Sequence, residues 1–133
     1  MCIVLDTNVL VSGLLNPHGP PGRILDLLLG HHLTLLYDDR IMGEYSDVLA
    51  RPQLAIAQAQ AAALLNFFRL TGERIIAYPL KADLLSDVDD LPFVEVSISG
   101  KADALVTGNI KHFMTIFDDI TVLSPSELID KLT

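Results

Sequence analysis

The chain opens with Met1-Cys2-Ile3-Val4-Leu5-Asp6-Thr7-Asn8, an apolar run that stops at a carboxylate followed by two small polar side chains. The β-branched, apolar part of this run, residues 2–5, predicts a short buried strand. In open α/β folds, ligands bind beyond the carboxyl ends of the strands. We therefore expect Asp6 to lie at the binding edge of a sheet, although a carboxylate in this position can also simply cap a turn.

Length and composition set the broad class of the protein. A chain of 133 residues, half of them hydrophobic, predicts one ordered domain over residues 1–133. The single cysteine, Cys2, excludes an intramolecular disulfide and fits the reducing environment of the cytoplasm. No apolar stretch approaches the roughly 18 residues of a membrane span, and the N-terminus lacks the basic start of a signal peptide. We expect no membrane association.

The net charge of −8 argues against broad, nonspecific binding to nucleic acid, which normally depends on a basic surface. Acidic side chains gathered in one pocket would, however, be partly neutralised by bound cations. The meaning of the net charge therefore depends on where the acids lie.

Strands and helices are predicted to alternate along the chain. Apolar runs predict strands over residues 2–5, 33–37, 74–78, 104–107 and 120–123. Turn residues predict loops over 16–21 and 81–90, and helical spacing with capping residues predicts helices over about 24–30, 39–50, 55–71, 90–99 and from 124 onward. This alternation predicts a three-layer α/β/α fold around a central five-stranded parallel sheet.

Three carboxylates occupy positions that such a sheet would bring to one edge. Asp6 ends the first strand, and Glu44 lies at the border of the apolar face of the helix after the second strand. Asp90 begins the helix 90–99, close to Asp87 and Asp89. Glu44 taken alone could be a solvated helix acid. Helix capping would explain any one of Asp87, Asp89 and Asp90, but not all three.

Polar groups also follow the fourth strand, in Thr107-Gly108-Asn109. This segment can be an ordinary strand-ending turn, or it can place the Asn109 carbonyl oxygen at the same edge. His112 lies three residues further on, next to Phe113, and a histidine in such a position is more often a packed or surface side chain than a ligand. We interpret Asp103 as structural.

Asp6, Glu44 and Asp90 in one cleft would repel one another strongly without a counter-charge. Oxygen-only ligands favour a hard cation, Mg²⁺ or Mn²⁺, over zinc. A hard cation held in this way usually takes its remaining ligands from water and from a substrate phosphate. The implied chemistry is phosphodiester hydrolysis, and a second metal about 3.5–4 Å from the first could divide the task.

The sequence resembles the PIN-domain family over nearly its whole length. The similarity is carried by residues 3–12, by Glu44-Tyr45 with residues 48–52, by residues 87–93, by residues 102–109, and by the closing residues 123–127. Within that family the chain is similar to the small bacterial and archaeal PIN proteins grouped as toxin components of toxin–antitoxin pairs, the VapC-like ribonucleases.

The resemblance implies a Mg²⁺- or Mn²⁺-dependent endoribonuclease that is restrained by an antitoxin protein and forms a homodimer. It implies that the catalytic and metal-binding acids are Asp6, Glu44 and Asp90. The supporting residues are Thr7, Asn8, Thr107 and Asn109, with Asp87 and Asp89 as second choices for the third acid. The chain departs from the family where an acid often follows the Thr-Gly pair, because Asn109 and His112 occupy those positions. One metal is therefore better supported than two.

Two other interpretations remain open. A binding module with a decayed site would explain Asn109, His112 and the low total of nine lysines and arginines. Phosphotransfer through Asp6 as a nucleophile needs a lysine after a later strand, for which Lys111 is a poor fit, and it leaves Glu44 unexplained. For RNA binding, a basic rim is predicted from four side chains, Arg23, Arg40, Lys101 and Lys111. A stripe on the helix 55–71, formed by Ala59, Ala62, Ala63 and Phe67, belongs to the core or to a dimer face, and we favour the latter.

Overall fold

In the computed structural model of this chain, residues 1–80, 88–113 and 119–133 are described. Their strands are β1 (Cys2–Leu5), β2 (Thr34–Tyr37), β3 (Glu73–Arg74), β4 (Ala104–Val106) and β5 (Val122–Leu123). In the described residues these strands form one five-stranded sheet in the order β3-β2-β1-β4-β5, and every neighbouring pair is parallel. The prediction of a five-stranded parallel sheet is confirmed.

The described helices are α1 (Thr7–Leu15), α2 (Pro20–Leu29), α3 (Asp39–Leu49), α4 (Gln58–Thr71), α5 (Leu91–Ser99), α6 (Ile110–Phe113) and α7 (Pro125–Leu132). Two short 3₁₀ helices, Pro52–Leu54 and Val88–Asp90, precede α4 and α5. Parallel strands require right-handed crossovers, so the helices that connect β1 to β2 to β3 cover one face of the sheet. Helix α5 connects in the opposite direction and packs on β1, β2 and β4, which makes the fold three-layered.

The innermost strand, β1, is buried because it has a strand on each side and helices on each face. Ile3, Val4 and Leu5 are fully buried, and Leu5 lies opposite Val106 of β4. This is the reason for the uninterrupted apolar run at the start of the sequence. No helix in the described ranges is long and apolar enough to cross a membrane.

Helix boundaries follow the capping residues in the sequence. The Asp38 carboxylate accepts a hydrogen bond from the backbone N–H of Ile41 at 3.0 Å, and so caps α3. Ser124 and Glu127 form the predicted capping box at the start of α7. Helix α4 begins at Gln58 rather than at 55, because Ala55 ends the preceding 3₁₀ helix with a φ of 52°.

Three further segments differ from the prediction made from sequence. Helix α1, which starts directly after Asp6, was not predicted, and α2 begins at Pro20, inside the predicted loop 16–21. The third strand was predicted over 74–78, but only Glu73–Arg74 pairs with β2. Residues beyond it leave the sheet edge, and the Tyr78 backbone N–H donates to the Ser99 hydroxyl of α5 instead. The predicted loop 81–90 lies mostly outside the described residues.

Two helical glycines predict opposite effects on stability. A Cβ at Gly22 in α2 would lie 2.2 Å from the Pro17 carbonyl oxygen, whereas a Cβ at Gly43 in α3 would meet nothing within 4 Å. We expect Gly22→Ala to lower the free energy of unfolding by more than about 2 kcal/mol, because a backbone atom must move. Gly43→Ala should raise it by about 0.5–1 kcal/mol. Urea unfolding followed by circular dichroism measures both, and equal effects of the two substitutions would contradict this packing.

Candidate active site at the carboxyl edge of the sheet

The order of the strands reverses between β1 and β4, so the chain leaves these neighbouring strands toward opposite faces of the sheet. The opening that this leaves at the carboxyl edge is where ligands bind in doubly wound folds. Asp6 follows β1 and Thr107 follows β4 at this point. The Asp6 backbone N–H donates to the Val106 carbonyl at 2.9 Å, which continues the β1–β4 pairing up to the edge.

A chain of hydrogen bonds fixes the Asp6 side chain. The hydroxyl of Thr107, which is fully buried, donates to Asp6 Oδ2 at 2.7 Å. That hydroxyl in turn accepts the backbone N–H of Asn109 at 3.0 Å. Because the Thr107 hydroxyl has a single proton, the Asn109 contact leaves it oriented as a donor toward Asp6. The turn after β4 therefore positions the carboxylate that follows β1.

The two turns at the opening are also joined through Asn8. Its side-chain oxygen accepts the backbone N–H of Gly108 at 3.4 Å. A Cβ on Gly108 would lie 3.5 Å from the Asn8 amide, so the two turns approach closely. Asn8 and Thr107 thus each link the turn after β1 to the turn after β4.

Glu44 reaches the site from α3. The Thr7 hydroxyl, nearly buried, donates to Glu44 Oε2. The next residue, Tyr45, is fully buried and donates its hydroxyl to the Leu5 carbonyl at 2.5 Å. Helix α3 therefore contacts the end of β1 through Tyr45 and the start of α1 through Glu44, and this places Glu44 on the Asp6 side of the helix.

Asp90 lies at the end of the 3₁₀ helix Val88–Asp90, just before α5. Its carboxylate Oδ2 is 3.5 Å from His112 Nδ1, and the Asp90 side chain is only 13% exposed. His112, about half exposed, also acts electrostatically on Asp6, which places all three side chains in one neighbourhood. Sequence reasoning favoured a packed or surface role for His112 and so missed this contact. Asp89 is exposed, and Asp87 lies outside the described residues.

Charge is costly at this edge. Burial raises the pKa of the Asp6 carboxyl above its ordinary value, although the Thr107 hydroxyl, the Thr7 backbone N–H and His112 act in the opposite direction. Burial also raises the pKa of the Tyr45 phenol well above its ordinary value, and the negative charges of Asp6 and Glu44 add to the effect. The site therefore carries negative charge that its own protein groups only partly offset.

Within the described ranges, no three histidine, cysteine, aspartate or glutamate side chains form a group arranged to hold a metal ion. The donors present near Asp6 and Glu44 are carboxylate and hydroxyl oxygens, which suit a hard cation. Mg²⁺ commonly binds through one or two carboxylates, with water and substrate phosphate completing its shell. The donor set therefore fits such a cation, although the described side chains do not form a closed cage.

Two clefts flank the Asp6–Thr107 pair. One, of about 470 Å³, is lined by Thr7, Asn8, Val11, Ser12, Glu44, Val48, Arg51 and Leu54. The other, of about 380 Å³, is lined by residues 108–112, which include Lys111 and His112. Each cleft thus has a basic side chain beside an acidic site.

The predicted basic rim is only partly at this edge. Lys111 lines a flanking cleft, but Arg40 is bound by Asp38 and by the buried Glu95, each at 2.6 Å. Arg23 lines a cleft with Gly30 and His32, which precede β2, and Lys101 lies between α5 and β4. In a parallel sheet these two positions are at the amino edge, so Arg23 and Lys101 do not border the site.

Fold and site together define a doubly wound α/β protein with an acid-lined opening at its topological switch point. The family model described as PIN domain matches residues 2–111. The chain belongs to the PIN-domain family. The match includes Asp6, Glu44, Asp90 and Asn109.

The chain is also similar to two known proteins. The protein MJ1680 of Methanocaldococcus jannaschii is 29% identical over 119 residues, covering 88% of this chain and 76% of that protein. A chain in the crystal structure of VapBC2 from Rickettsia felis, bound to a DNA fragment from their promoter, superposes with a TM-score of 0.63. It covers 93% of this chain and 98% of its own length at 21% identity, which supports the fold.

The raised pKa of Asp6 predicts how stability depends on pH. In metal-free buffer at neutral pH, Asp6→Asn should raise the melting temperature, because the ionised carboxylate is less favourable in the folded chain than in the unfolded one. The gain should shrink as the pH falls through the raised pKa toward about 3.8, where the carboxyl is protonated in both states.

Asp39→Asn is the matched control. The hydrogen bond from Arg74 lowers the pKa of the Asp39 carboxyl, so loss of its charge should destabilise the fold at neutral pH. This effect should shrink as the pH falls below about 3.8 toward the lowered pKa. Melting curves with EDTA between pH 3 and 8 measure both variants. The same sign of effect for both at pH 7 would contradict the assignment for Asp6.

Proposed function

We propose that this protein is a Mg²⁺- or Mn²⁺-dependent endoribonuclease of the toxin–antitoxin kind. The observation that carries the proposal is the pair of oriented carboxylates at the switch point of the sheet. The Thr107 hydroxyl donates to Asp6, and the hydroxyl of Thr7, the next residue after Asp6, donates to Glu44. Burial makes the charge of Asp6 unfavourable in the protein alone, and a bound cation would reverse that penalty. Membership of the PIN-domain family supports a nuclease.

In the proposed mechanism, Asp6 and Glu44 would hold the cation, and Asp90 would complete the acidic set. When bound, the cation supplies Lewis-acid chemistry for phosphodiester hydrolysis. Thr107 and Thr7 orient the two carboxylates, and Asn8 keeps the turns around them in place. Thr107, Thr7, Asn8 and Asn109 are supporting residues, and Asp89 and Asp87 are second choices for the third acid.

The proposed partners are an RNA substrate, an antitoxin protein and a second copy of the chain. The structural neighbour belongs to a VapBC2 complex, which supports a protein partner for this fold. We place the protein in the cytoplasm. There the antitoxin would restrain the nuclease activity of a site that is open at the sheet edge. One cation is better supported than two, because only three acids are predicted and His112, which contacts Asp90, stands at a position where a fourth acid is common.

The alternative function is a binding module without catalytic activity. Asn109 and His112 stand where a fourth acid is common in the family, and the described side chains form no closed metal cage. The two functions differ in one property, because only the enzyme should cleave RNA in a metal-dependent way.

The decisive experiment is cleavage of a broad panel of RNAs with Mg²⁺ or Mn²⁺. We expect cleavage by the native protein and a loss of more than about 100-fold in Asp6→Asn and Glu44→Gln, because even outer-shell partners of metal ligands typically contribute 10–100-fold. Asp47→Asn, an exposed acid on the same helix as Glu44, is the control and should retain activity. Absence of cleavage on every RNA, or equal cleavage by all variants, would contradict the proposed enzyme function.

The role of Thr107 can be measured separately. Thr107→Val keeps the shape of the side chain but removes the hydroxyl that orients Asp6. We expect a loss of about 10–100-fold in cleavage rate together with a higher Mn²⁺ concentration for half-maximal activity. If the rate falls but the Mn²⁺ dependence stays that of the native protein, Thr107 does not act through the metal-binding carboxylate.

A further inference from the structure

The cleft between α1 and α3 has two walls and an apolar floor. Asn8 and Ser12 lie on the α1 wall, and Glu44 and Arg51 lie on the α3 wall. Val11, Val48 and Leu54, all half-buried, form the apolar surface between them. Because Thr7 and Glu44 line this cleft as well, it is continuous with the acidic site.

Arg51 is placed in this cleft without an acidic partner. Three other arginines are engaged: Arg40 with Asp38 and Glu95, Arg74 with Asp39, and Arg69 with Asn66. In the described part of the chain, the Arg51 guanidinium makes no ion pair or hydrogen bond. A planar, permanently charged group in this situation is suited to bind an external anion, above all a phosphate.

Glu44 and Arg51 occupy different parts of the cleft. Glu44 and Val48 lie about one turn apart on α3. Arg51 follows the end of this helix in extended backbone, and its N–H donates to the Val48 carbonyl at 3.1 Å. The Thr7 hydroxyl draws the Glu44 carboxylate toward the Asp6 side, so Arg51 lies away from the acids with the apolar side chains in between.

We propose that this cleft binds the nucleotide next to the scissile phosphate of a single-stranded RNA. Arg51 contacts its phosphate, Val11, Val48 and Leu54 contact the face of its base, and the exposed Ser12 hydroxyl lies within the cleft as a hydrogen-bonding group. The inference rests on the proposed function, since RNA must be the substrate. It explains how a chain of net charge −8 holds RNA, because a guanidinium lies beside the acidic site.

The test measures binding and not cleavage. A fluorescently labelled single-stranded RNA of mixed sequence is titrated with protein in EDTA, and anisotropy is followed at several salt concentrations. Arg51→Ala should weaken binding at least about fivefold at low salt and reduce the slope of log K against log salt by about 0.7, the contribution of one phosphate on a single strand. Arg51→Lys should retain most of the slope, because it keeps the charge.

Arg69→Ala is the matched control, since Arg69 is exposed on α4 and lies outside the cleft. It should change neither affinity nor slope. Val48→Thr, which is nearly isosteric, should weaken binding a few-fold without changing the slope, because it removes apolar contact and no charge.

Unchanged RNA binding in Arg51→Ala, an equal loss in Arg69→Ala, or no RNA binding by the native protein would overturn the inference. If an acidic peptide binds in an Arg51-dependent way and RNA does not, the cleft belongs to a protein partner and the inference is also overturned. These results are distinct from failure of the proposed function, which is absence of metal-dependent cleavage by the native protein.

Discussion

The hydrogen bond from the Thr107 hydroxyl to the Asp6 carboxylate joins the two turns that leave the sheet toward opposite faces. In a doubly wound fold, strand pairing does not hold these two turns together beyond the last paired residues. Here the β1–β4 pairing is continued by the Asp6 backbone N–H, then by the side chains of Thr107 and Asn8. The geometry of the opening is therefore a direct extension of the central strand pair, which is buried over residues 3–5 and over Ala104–Val106.

Helix α3 supplies the second constraint on the site. Two adjacent residues near its centre make two contacts, Tyr45 with the Leu5 carbonyl at the end of β1 and Glu44 with the Thr7 hydroxyl at the start of α1. One of these contacts is structural and fully buried, and the other carries the proposed chemistry. Since the helix cannot rotate without breaking the buried contact, the position of Glu44 is set by packing and not by its own charge.

Much of the architecture was predictable because the strongest patterns lie on the most buried elements. The apolar run before Asp6 identified β1, and Ser124 with Glu127 identified the start of α7, since both depend on local chemistry. Residues 75–78 were wrongly predicted as part of a strand, because their composition favours β-structure. Composition does not reveal that the edge strand β3 ends at Arg74. Helix α1 was missed because its polar start was interpreted only as the end of a strand.

The site was predictable as a set of positions but not as a set of contacts. Asp6 could be proposed because it ends a strand, Asp90 because it stands at a helix start, and Glu44 because it borders the apolar face of a helix. Their catalytic role stays a prediction. The contact of His112 with Asp90 depends on how a short helix after β4 folds back, which no local pattern encodes. The assignment of Arg40 to the rim had a similar weakness, since only the fold shows that Asp38 and Glu95 bind it.

The burial of Tyr45 beneath two carboxylates has an optical consequence. The chain has no tryptophan and three tyrosines, so tyrosine dominates its near-ultraviolet absorbance. Tyr78 is 81% exposed and Tyr37 contacts the Arg69 carbonyl, away from Asp6, while Tyr45 lies close enough to feel the charges of Asp6 and Glu44. The phenol ring thus acts as a built-in chromophore whose spectrum follows the electric field of the acidic opening, without any label attached to the protein.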